Sequence, residues 1–383
     1  MRNIFVKSFY KERHAKIAIA TFASISIFLL PPSITNAQTR TDTSSTSTLV
    51  FTSISTSTSP SALLYVTGAR KAIESLRAHV TSQDIVAPQT YIVNSSGKLS
   101  GRPKQEILNI AQSVNAQIMP LVSNQNFSQS GVNTFLNDPA AQDKLLASLV
   151  LEAVDKKYIG YQYDFEHIPS YDRDLYTQFI QKSAPFLHNA GLKLSVAIAP
   201  IHSDNPSDFA LGSWQNWTGA FDYSAIGAVV DFVSVMAYDD GNSVGPTASL
   251  PWATQVANYT LAHIPANKVS FGLPFYAWVR STKTGNRVKI VGYPALAKII
   301  DSGKYIEKGW SDELGVPFLK YRTTNGRNLT AWYEDAQSFQ KKIELIKNNK
   351  MMGYSAWALG LEDPKVWDTV IAMRELNNQV AVR

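Results

Sequence analysis

From Ser61 onward, eight short apolar runs alternate with longer amphipathic stretches, and this alternation constrains the fold more than any other feature of the chain. The runs cover 63–66, 85–93, 117–122, 159–165, 194–199, 232–238, 269–275 and 353–359. Between most of them lie helical patterns, as at 104–115, 142–156 and 175–190, with strong helix formers and spaced apolar positions. Strands alternating with helices predict a parallel sheet built through crossover helices. Eight such units favour an α/β fold closed as a (β/α)8 TIM barrel over an open sheet. No Gly-x-Gly-x-x-Gly and no Walker sequence follows any run, so the phosphate turn of a Rossmann-type sheet is missing. The interval before the eighth run is long. Residues 278–330 are rich in turn formers and carry strand-like pieces at 288–291 and 318–322. They predict a small α+β insertion between strands seven and eight, followed by a helix over 334–347.

The N-terminus has a different character. Arg2, Lys7, Lys11, Arg13 and Lys16 precede an apolar run over 17–30, and Thr35-Asn36-Ala37 supplies a small-residue cleavage site. This layout predicts a secretory signal peptide over 1–37. The run is short for a membrane span, and an uncleaved anchor is the other reading. A secreted or cell-envelope protein is expected, without a stable membrane span after processing. Residues 38–60 are dominated by Ser and Thr and read as a flexible linker, leaving 61–383 for the barrel. Loss of 1–37 removes five basic residues and one acidic residue, which lowers the net charge from +6 to +2. The basic balance therefore gives no ground for a nucleic-acid partner. The chain has no cysteine, which excludes disulfides, thiolate catalysis and Cys-ligated metal.

Chemistry concentrates at the ends of the predicted strands. In the stretch from Tyr158 to Glu166, Gln162, Asp164 and Glu166 alternate with Tyr161, Tyr163 and Phe165. A period of two puts the polar groups on one face of a strand and the aromatic groups on the other. Two carboxylates at a strand end suit acid–base work on a sugar; a solvated edge strand that ends in acids is the bland alternative. Other strand ends carry Ser123-Asn124, Met236-Ala237-Tyr238-Asp239, Pro274-Phe275-Tyr276 and Ser355-Ala356-Trp357. Each has a packing or helix-capping explanation alone. Together, at the end of a barrel where active sites gather, they are hard to obtain from packing.

These segments resemble family 18 glycoside hydrolases, the chitinase superfamily. Gly160, Asp164 and Glu166 match the signature Asp-Gly-x-Asp-x-Asp-x-Glu, whereas Ile159 and Gln162 replace its first two acids. The segments Met236-Ala237-Tyr238-Asp239, Gly272–Tyr276 and Gly353–Trp357 resemble the sixth, seventh and eighth strands of that family. Trp332-Tyr333-Glu334-Asp335 with Ser338 and Lys341 is similar to the branch of spore-cortex and peptidoglycan-processing enzymes.

The resemblance implies a retaining hydrolase of N-acetylhexosamine oligo- or polysaccharide, either peptidoglycan fragments or chitin-like chains. Glu166 is implied as general acid/base, with Asp164 and Tyr238 orienting the substrate's acetamido group. Trp357 is implied as the floor of the sugar site, and Asp239, Tyr276, Gln162, Met236 and Asn124 as further binding residues. The Gln162 amide is expected to donate to Asp164, and Ile159 to make the strand interior more apolar. A monomer without cofactor is expected. A catalytically silent, lectin-like protein on the same barrel is the alternative, although Glu166, the acid position, is present. A metal enzyme is the third reading, but no two of the six histidines fall at metal-binding spacing. His167, on the opposite strand face from Glu166, is expected to pack.

Overall fold

A computed structural model describes residues 61–381, and side chains as far as Arg374. The signal peptide expected over 1–37 and the linker over 38–60 lie outside the described residues. Eight parallel strands form the barrel: Ser61–Val66, Ile85–Val93, Leu121–Asn124, Gly160–Asp164, Lys193–Ile198, Phe232–Val235, Val269–Pro274 and Gly353–Trp357. Each pairs with its neighbour in sequence, and the first pairs with both the second and the eighth, which closes the sheet. Such strands are covered on both faces, which is why they read as apolar runs.

Strand four shows how its alternation is used. Tyr161, Tyr163 and Phe165 are fully buried on the outer face. Tyr163 stacks on Phe179 of the helix Arg173–Asn189, with ring centroids 5.3 Å apart and planes 10° from parallel. Phe165 lies 5.9 Å from both Phe179 and Tyr176. The inner face carries Gln162 and Asp164. Below them the barrel interior is filled by Leu63, Ile85, Met119, Leu121 and Phe232, with Ile159 packed against that cluster. Gly160 meets a backbone constraint: a Cβ there would stand 1.9 Å from the Lys193 carbonyl oxygen of strand five.

Only strand two keeps its sequence-predicted bounds; the first starts two residues earlier, the fourth, fifth and seventh shift by single residues at their ends, and the third, sixth and eighth change as follows. The third is interrupted, so that Gln117–Ile118 forms a separate short strand. Pro120 has no N–H to give the ladder. The sixth stops at Val235 instead of Tyr238, because Ala237 N–H donates to the Val235 carbonyl and Tyr238 N–H to that of Met236. Two successive three-residue turns end the ladder there. The eighth ends at Trp357 instead of residue 359.

The insertion is a five-stranded antiparallel sheet of Tyr276–Ser281, Arg287–Gly292, Glu307–Ser311, Val316–Arg322 and Asn328–Trp332, with the helix Tyr293–Asp301. It begins two residues earlier and ends two later than predicted, so Tyr276 opens the insertion instead of closing strand seven. Leu296 of the helix shares a core with Ala277, Val279, Leu319 and Ala331. On the sheet, the Arg287 guanidinium lies 4.4 Å from the Trp278 ring centroid. The following helix starts at Ala336, later than residue 334, because Asp335 is its N-cap. Asp335 accepts from Ser338 N–H, and the Ser338 hydroxyl accepts from Asp335 N–H, a reciprocal capping box. Two residues of the Trp332–Asp335, Ser338 segment are thus a helix start.

Candidate active site at the mouth of the barrel

Five polar residues of the inner barrel face form a hydrogen-bonded chain that runs from Ser195 to Ser355. The Tyr65 hydroxyl of strand one donates to Gln162 Oε1 at 2.6 Å and meets Ser234 Oγ of strand six at 2.8 Å. Ser234 Oγ in turn lies 2.6 Å from Ser355 Oγ of strand eight. Gln162 Nε2 donates to Ser195 Oγ of strand five at 2.9 Å. All five side chains are buried, so each polar atom needs a partner to offset the loss of water. Burial pushes the Tyr65 phenol well above its ordinary pKa, with the charge of Asp164 a smaller contributor, so it stays protonated and able to donate.

This corrects the expectation for Gln162. Its amide donates to Ser195, not to Asp164. Asp164 is instead approached by Ser123 of strand three, whose hydroxyl donates to Oδ2 at 3.3 Å. The aligned register explains the choice, because Gln162 stands opposite Ser195 and Asp164 opposite Ser123.

Glu166 lies two residues beyond Asp164 and is partly exposed. Its main chain is held from strand three. Asn124 Nδ2 donates to the Glu166 carbonyl at 3.0 Å, and Glu166 N–H donates to Asn124 Oδ1 at 2.9 Å. Asn124, expected to contact substrate, is only 5% exposed and uses both ends of its amide on this backbone. The chain turns immediately afterwards, since His167 has φ 56°. The His167 ring packs near Phe127 and Trp217, with centroids 6.2 and 6.3 Å away.

On the other side of the mouth, Tyr238 is buried and its ring meets that of Tyr276 edge-on at 6.1 Å. Strand seven makes room for it. A Cβ on Gly272 would approach Tyr238 Cε1 to 3.0 Å and the Val235 carbonyl oxygen to 2.3 Å. Asp239 adopts φ 65° and is fixed by Thr247, which donates to its Oδ1 at 3.0 Å and accepts from its N–H at 2.9 Å. The Tyr276 hydroxyl donates to the same carboxylate oxygen. Arg280 of the insertion anchors the loop that carries Thr247, donating to the carbonyls of Gly245 at 2.7 Å and Ser243 at 2.6 Å. Met236 is buried, and its N–H donates to the Ile198 carbonyl just past the end of strand six. Trp357 ends strand eight partly exposed, its ring edge-on to Tyr65 at 5.3 Å.

Two carboxyl side chains, a tyrosine and a partly exposed indole therefore stand at the C-terminal ends of strands four, six and eight, over a buried polar chain. Such an arrangement can bind a ring-shaped, hydroxyl-rich molecule against the indole and move a proton at its edge. Among the described residues no cluster of His, Asp or Glu is placed to hold a metal. The residues that sequence reasoning missed are Tyr65, Ser195, Ser234 and Thr247. The serines were visible as single polar residues inside otherwise apolar runs, Leu-Ser-Val-Ala and Phe-Val-Ser-Val.

The chain is 31% identical over 280 residues to the cortical fragment-lytic enzyme of Bacillus subtilis (strain 168), covering 71% of this chain and 63% of that protein. The match thus spans less than two thirds of that relative's length. The crystal structure of the Bacillus megaterium QM B1551 spore cortex-lytic enzyme SleL superposes with a TM-score of 0.71 at 26% identity, over 82% of this chain and 74% of that one. A class V chitinase from Pseudomonas fluorescens Pf-5 gives a TM-score of 0.71 at 25% identity, over 83% and 99%. The model for glycosyl hydrolases family 18 matches residues 15–362, a span that takes in every barrel strand. On that match, and with Asp164 and Glu166 at the end of strand four, the chain belongs to the glycosyl hydrolases of family 18.

Proposed function

We propose that the protein is an exported, monomeric, retaining glycoside hydrolase that cleaves N-acetylhexosamine-containing polysaccharide, with Glu166 as general acid/base. The observation that carries this reading is the pairing of Asp164 and Glu166 at one strand end, with Tyr238 and Trp357 on the facing strands. Glu166 protonates the glycosidic oxygen as the bond to the anomeric carbon breaks. The substrate's own acetamido oxygen attacks that carbon and forms an oxazolinium ion, so no enzyme nucleophile is needed. Asp164 holds the acetamido N–H and offsets the positive charge, and the Tyr238 hydroxyl donates to the acetamido oxygen. Water, deprotonated by Glu166, then opens the ion, and the two inversions give net retention. Trp357 forms the apolar floor, with Asp239, Tyr276 and Met236 around the same sugar.

The named activities of the relatives support cortex-type peptidoglycan fragments first and chitin-like chains second. Export rests on the signal-peptide layout of 1–37. The test is mass spectrometry of products from peptidoglycan digests and chito-oligosaccharides, incubated side by side. Fragments that gain one water and end in a reducing N-acetylhexosamine are expected from at least one of them. No such fragment from either polymer refutes the proposal.

A further inference from the structure

We infer that Asn124 is a positioning residue that sets the reach of the Glu166 carboxyl, and does not itself bind sugar. The inference rests on the reading of Glu166 as the acid. The last ladder pair between strands three and four is Ser123 with Asp164. Beyond it the backbone polar groups of residue 166 need other partners, and a mobile main chain there would let the carboxyl wander. Asn124 supplies a substitute ladder. Its side-chain amide donates to the Glu166 carbonyl and accepts from the Glu166 N–H, at 3.0 and 2.9 Å, as an opposing peptide group does. The clamp acts on the residue just before the bend at His167.

The chemistry of the pair narrows what can stand at 124. An aspartate keeps the acceptor but loses the donor, and puts a carboxylate oxygen against the Glu166 carbonyl. Alanine loses both and leaves a part-buried carbonyl and N–H to find other partners. Serine has a single hydroxyl and cannot span both atoms. Asn124 is nearly enclosed, so the effect on catalysis is transmitted through the backbone of Glu166.

A clamp on the acid predicts a particular kinetic pattern. kcat/KM reports steps up to departure of the leaving group, and a group that leaves unprotonated needs no acid. Asn124→Ala and Asn124→Asp should lower kcat/KM for an unactivated oligosaccharide on the order of 10- to 100-fold, the scale of a displaced catalytic group. For the 2,4-dinitrophenyl glycoside of the same sugar the loss should be at least fivefold smaller, and the Kd of the oligosaccharide for each variant should stay within about threefold of wild type. Glu166→Gln is measured in parallel, as are the melting curves. If one Asn124 variant does not fold, the other carries the test. Should Glu166→Gln show the leaving-group dependence while the folded Asn124 variant loses equally on both substrates, or loses binding instead, the clamp is refuted and the acid assignment survives. If Glu166→Gln shows no such dependence, the acid assignment fails and takes the clamp with it.

Discussion

Glu166→Gln should lower kcat on an unactivated N-acetylhexosamine oligosaccharide by about 100- to 10,000-fold, the range supplied by a positioned general acid–base group. The amide is nearly isosteric with the carboxyl but has no proton to give the departing oxygen. Binding should survive, because the floor at Trp357 and the groups at Asp164 and Tyr238 are untouched. The fold should survive as well, since Asn124 holds the main chain of residue 166 and not its side chain. Calorimetric binding of an oligosaccharide, paired with steady-state turnover, separates the two effects. A variant that keeps more than half of wild-type turnover rules Glu166 out as the acid.

The second large effect is on stability. Lys342, in the helix Ala336–Asn348, makes a buried ion pair with Glu334, just outside the last strand of the insertion. Burial raises the Glu334 pKa, and the neighbouring ammonium works against that shift. Lys342→Met keeps the aliphatic bulk and removes the charge, leaving a buried carboxylate without its counter-ion. The expected cost at neutral pH is about 3–5 kcal/mol, the range for breaking one side of a buried pair. It should depend on pH with a definite sign. A carboxyl whose folded-state pKa is raised binds protons more tightly when folded, so its contribution is full below the unfolded value near pH 4.5 and is lost as pH rises through the folded value. The deficit of Lys342→Met relative to wild type should therefore shrink on acidification toward that value. Denaturant unfolding of both proteins between about pH 4 and 8, the span over which a raised carboxyl titrates, checks this. A deficit independent of pH means that lost packing, not the stranded charge, sets the cost.

The barrel was legible because parallel strands covered on both faces must be apolar runs, and crossover helices must separate them. Strand ends were less so. Pro120 broke one ladder and two tight turns shortened another, since a run of Met236-Ala237-Tyr238 has the same apolar character in a turn as in a strand. The candidate site was legible where chemistry is unusual, at the carboxyls and aromatics of 164, 166, 238 and 357. Hydrogen-bond partners were not, because they depend on register. Gln162 faces Ser195 across one ladder, and nothing in sequence spacing alone chooses between that hydroxyl and Asp164 two residues along. Asn124 was visible as a polar strand end, but its use on the backbone of Glu166 follows only from the alignment of strands three and four. Glu334, Asp335 and Ser338 show the converse, a segment that resembles the peptidoglycan-processing branch and here makes an ion pair and a helix cap.

The claim that the substrate's acetamido group does the work of a nucleophile has one direct measurement. Proton NMR of the first-formed reducing end, taken before mutarotation, should show the same anomeric configuration as the bond that was cut, and the same oligosaccharide with its acetamido groups hydrolysed to free amines should not be cleaved. An inverted anomer, or cleavage of the de-N-acetylated substrate at a comparable rate, would contradict the account.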